Sequence, residues 1–76
     1  MEHGRLVRVT THGERGGDPQ AVTYVVAEPD RVKAERIIRM KAARIEDNVE
    51  AIGRASQQLL KTFNLAPGEF IRGDAD

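Results

Sequence analysis

Seventy-six residues leave room for one small domain, spanning 1–76, and at this size folding buries only about 60–65% of the surface the unfolded chain exposes. Three aromatic residues (Tyr24, Phe63 and Phe70), no tryptophan and no cysteine exclude a disulfide framework and thiolate metal sites. They leave self-association as the expected supplement to a thin core. The formal net charge is zero but unevenly spread: residues 1–29 carry three basic and four acidic groups, residues 30–45 six and two, and residues 46–76 three and six.

No secretory signal is legible at the N-terminus, and no run approaches the roughly 18–20 apolar residues of a membrane span. A cytoplasmic protein without a membrane segment is therefore expected. After residues 1–4, which are expected to fray, "RLVRVTTH" (Arg5 to His12) alternates, with Val7, Val9 and Thr11 on one face of a strand. "AVTYVVAE" (Ala21 to Glu28) does the same with Val22, Tyr24 and Val26. Residues 13–20 between them hold three glycines and a proline, so the two strands read as an antiparallel hairpin around a flexible loop.

At "EPD" (Glu28 to Asp30) the period changes from two to 3.6. Pro29 suits a first helical position, and Glu28, Asp30 and Glu35 place negative charge near a helix N-terminus. Ala34, Ile37, Ile38, Ala42 and Ile45 fall on one side of that helix, and Lys33, Arg36, Arg39, Met40, Ala43 and Arg44 on the other. The apolar phase then continues, since Ile38, Ala42, Ile45, Val49, Ile52, Ser56, Leu59 and Phe63 recur at alternating four- and three-residue steps. No Gly or Pro separates the segment ending at Ile45 from the one starting at Glu46, although Gly53 lies within the second. One long helix, kinked near Asp47, is the first reading. Two consecutive helices, or a short strand Val49 to Ile52 followed by a helix from Ala55, are the alternatives.

Asn64 tolerates the left-handed conformation that ends a helix, Leu65 is placed to fold back on the last turn, and Pro67 blocks continuation. Pro67-Gly68 predicts a type II turn, and Phe70 with Ile71 forms an apolar tail that docks on the helix or pairs at the hairpin edge. Residues 73–76 are polar and expected to fray. The fold class is α+β: an N-terminal antiparallel hairpin packed on one long or kinked amphipathic helix, with a short C-terminal tail. A hairpin is too small to cover such a helix, so a homodimer is expected on the face made by Val49, Ile52, Ser56, Leu59, Leu60 and Phe63.

The chain shows no catalytic, cofactor or metal signature. His12 with Glu14 and Asp18 is the nearest to a metal set, but it lacks a second histidine at ligand spacing. "HGERGGD" (His12 to Asp18) lacks the following helix and the Lys-Ser/Thr ending of a phosphate loop. Ser56 has no neighbouring histidine and reads as a small residue at a close helix contact. The leading expectation is a non-enzymatic protein–protein interaction or regulatory module, homodimeric and without cofactor. The alternative is a nucleic-acid-binding module whose phosphate contacts are Lys33, Arg36, Arg39 and Arg44. That helix lacks interleaved aromatics and base-reading Asn or Gln, which weakens the alternative.

Overall fold

The computed structural model describes residues 3–11 and 18–73. Alternating β-branched residues form β1 (Gly4–Thr11) and β2 (Gln20–Val26), which pair antiparallel with Val7 opposite Tyr24 and Val9 opposite Val22. The expected hairpin is therefore present, and β2 begins one residue earlier than its sequence pattern suggests. Residues 12–17, and with them His12 and Glu14 of the metal-like grouping, lie outside the described residues, as do 1–2 and 74–76 of the segments expected to fray.

Helix α1 (Arg31–Lys41) starts after Asp30, whose carboxylate accepts the Lys33 backbone N–H at 3.0 Å, while Glu28 accepts the Asp30 N–H at 3.0 Å. Asp30 is thus the N-cap, and Pro29 stands outside the helix instead of opening it. The helix stops at Lys41, where the Ala42 and Ala43 N–H groups both donate to the Ile38 carbonyl. A turn closed by Asp47, which accepts the Arg44 N–H at 2.9 Å, then leads into β3 (Asn48–Ala55). The long helix is therefore replaced by helix, strand and helix, which is nearest to the third of the readings above.

β3 joins the free side of β1, and β4 (Phe70–Arg72) joins the free side of β2, giving a four-stranded antiparallel sheet in the order β3-β1-β2-β4. The C-terminal tail thus pairs at the hairpin edge. Between β3 and β4, α2 (Gln57–Thr62) is capped by Ser56, whose Oγ accepts the Leu59 N–H at 3.1 Å. Asn64 takes φ 54°, its N–H donates to the Lys61 carbonyl, and the Leu65 N–H reaches back to the Leu60 carbonyl. This is the Schellman ending that the sequence suggests. Gly68 at φ 84° and the Glu69 N–H donating to the Ala66 carbonyl complete the Pro67-Gly68 turn as type II.

Two apolar clusters hold these elements. On one face of the sheet, Val7, Val9, Val26 and Val49 pack under Ala34 and Ile38 of α1, with Tyr24 and Phe70 in an edge-on ring contact at 5.7 Å beside them. On the other face Leu60 of α2 seals Val25, Ala27 and Ala55 at one end of the sheet, with Leu6, Leu59 and Leu65 around them. Gly4 lies beneath this contact, and a Cβ there would collide with the Val26 carbonyl oxygen and press on Leu60.

Candidate interaction surface

Helix α1 has five basic residues (Arg31, Lys33, Arg36, Arg39 and Lys41) and one acid, Glu35. Since Ala34 and Ile38 face the sheet, the 100° step places Glu35 and Arg39 on the flank beside β3 and Val32, Lys33, Arg36 and Met40 on the outer and opposite sides. The flank residues are engaged: Glu35 Oε2 accepts the Ala51 N–H at 2.9 Å, and Arg39 Nη2 donates to the Val49 carbonyl at 3.3 Å. The outer residues are open to solvent. Val32 is 56% and Met40 78% exposed, and they lie four residues either side of the exposed Arg36.

The four basic residues singled out from the sequence are therefore not on one face. Lys33 and Arg36 project outward, Arg39 is turned to the β3 edge, and Arg44 belongs to the turn after α1, not to the helix. The residues proposed as a dimer face are separated too, because no continuous helix carries them. Val49 lies under α1 at 4% exposure, Leu60 is in the second cluster at 5%, Ser56 is the α2 cap and Leu59 is partly buried. Only Ile52, at a bulge in β3, and Phe63, at the end of α2, are exposed large apolar members of that set.

Charge is distributed in a way the sequence totals conceal. Glu28, Asp30, Glu35, Asp47 and Glu69 each accept a backbone N–H, and Glu50 pairs with Arg8 at 2.8 Å on the sheet. Arg31, Arg36 and Lys41 have no carboxylate within ion-pair reach among the described residues. The Lys33 N–H bond, with a weaker coulombic pull from the Lys33 and Arg5 cations, holds the Asp30 carboxyl below its ordinary value. Acids thus serve as local caps, while the outer side of α1 presents positive charge interrupted by two apolar side chains.

A shallow hollow of about 370 Å³ lies beside α2, lined by Gln57, Leu60, Lys61, Asn64, Leu65 and Pro67. Sequence reasoning finds the helix stop that builds it but not the hollow itself. Among the described residues no cluster of three metal-ligating side chains occurs, and no helix is long and apolar enough to cross a membrane. Comparison of the chain with protein-family models, with curated proteins and with solved structures finds no match.

Proposed function

We propose that this chain is a small non-enzymatic protein–protein interaction module that offers the outer face of α1 to an acidic protein surface. The reading rests on Val32, Arg36 and Met40, exposed at four-residue spacing on a helix whose one acid is turned away to β3. Helices that dock on proteins use apolar anchors at such spacing, arginine is enriched where binding energy concentrates, and methionine adapts its shape to a partner. Carboxylates on the partner would find Arg36 without an ion-pair partner among the described residues, with Lys33, which also acts on Asp30, beside it.

Nucleic acid is the second reading, favoured by the same uncompensated cations. The two make different demands on the apolar residues, because phosphate contacts need charge alone and weaken steeply with salt. The test is a titration of isotope-labelled protein with an acidic amphipathic peptide and with a duplex DNA. The proposal expects peptide binding that is lost in Val32→Ala/Met40→Ala and only partly weakened by salt. Tight DNA binding with a steep salt slope, unchanged in that double variant, would transfer the surface to the second reading.

A further inference from the structure

The exposed edge of a sheet is a template for another strand, because alternate residues direct their N–H and C=O groups outward. β3 is such an edge and is eight residues long. Its outward groups include the Ala51 N–H and the Val49 carbonyl, and both are occupied by side chains of α1: Glu35 Oε2 at 2.9 Å and Arg39 Nη2 at 3.3 Å. Glu35 and Arg39 are four residues apart on one flank of the helix, and Val49 and Ala51 are two apart on the strand. The helix rise and the strand rise make these spans nearly equal, at about 6 Å and 7 Å.

We propose that the β3 edge is a latent strand-pairing surface for a second copy of this chain, and that Glu35 and Arg39 act together as its plug. The occupant follows from the register. An antiparallel copy centred on Glu50 sets Val49 opposite the copy's Ala51, and Ala51 opposite its Val49, so the outward groups of the two edges match each other. Of the four backbone bonds in that arrangement, two require the Ala51 N–H and the Val49 carbonyl, which the plug holds. Glu50 would face its own copy across the two-fold, where the Arg8 guanidinium that each carboxylate pairs with at 2.8 Å offsets the like charge, so the closure rests on the plug and not on repulsion between the strands. β4 at the other edge is only three residues long, so β3 is the edge that needs guarding.

The absence of cysteine makes a site-specific test direct. A cysteine replacing Glu50 lies across the two-fold from itself, at a non-hydrogen-bonded position where Cα atoms approach to about 4.5 Å, within disulfide range. Under mild oxidation the proposal expects little cross-linked dimer from Glu50→Cys alone and a rise of at least fivefold in Glu35→Ala/Arg39→Ala/Glu50→Cys. Glu35→Gln/Glu50→Cys keeps an acceptor oxygen and should remain near the low level. Equal cross-linking with and without the plug overturns the proposal, whether both yields are low or both high. A measurement on the unaltered chain guards against a variant that does not fold: the Ala51 amide should be protected from hydrogen exchange although it points away from β1. Rapid exchange at Ala51 would show that no plug is in place.

Discussion

Single residues with one clear physical job give the sharpest expectations. Gly68 sits at φ 84° with nothing within 4 Å of an added Cβ, so Gly68→Ala isolates the backbone cost of a left-handed turn position from any steric clash. A loss of about 1–2 kcal/mol is expected in denaturant unfolding. Asp30 gives a pH dependence. Its folded-state pKa is depressed, chiefly by the Lys33 N–H, so its stabilising contribution is present above the ordinary aspartate range and is lost as pH falls through the lowered value. The Tm difference between the wild type and Asp30→Ala should therefore be widest near neutrality and close below about pH 4. A pH-independent difference would mean that the charge of the carboxylate is not what holds the cap.

At the scale of elements, β1, β2 and the helix stop and turn from Asn64 to Gly68 are legible in the sequence, because local chemistry and tertiary role agree there, while for Phe70 and Ile71 the sequence leaves docking on the helix and pairing at the hairpin edge both open. Valines alternate in the hairpin, and Asn64, Pro67 and Gly68 each occupy the backbone conformation their covalent structure favours. The stretch from Ala42 to Ala55 carries sequence signals that point to a helix it does not form, for traceable reasons. The inward positions of β3 after Val49 are Ala51, Gly53 and Ala55, too small to mark a buried strand face, while the larger Ile52 sits at a bulge and is 44% exposed. Ile45 fits the supposed helical seam but lies in a turn at 101% exposure. Nor does the stop after Lys41 use a glycine or proline; it depends on Asp47 closing on the Arg44 N–H three residues back. The seam was thus a coincidence among residues of one helix, one turn, one strand and a second helix.

On the scale of the molecule, Ile38 is the residue on which the two-layer arrangement most depends, being fully buried between α1 and the sheet. Ile38→Ala should cost about 2–5 kcal/mol, a large share of the roughly 5–15 kcal/mol available to a small domain, so partial unfolding at ambient temperature is expected by circular dichroism. An unchanged melting curve would show that α1 does not pack as described. The same arrangement decides the surface. α1 spends Glu35 and Arg39 on the β3 edge and leaves Val32, Arg36 and Met40 to solvent, a division that its sequence does not announce. By itself the sequence determined the hairpin, the start of α1 and the turn into β4, because those depend on neighbours within a few residues. Only the tertiary structure decided that Asn48–Ala55 is a strand and which basic residues are free, because strand pairing and edge bonding are settled by partners far along the chain.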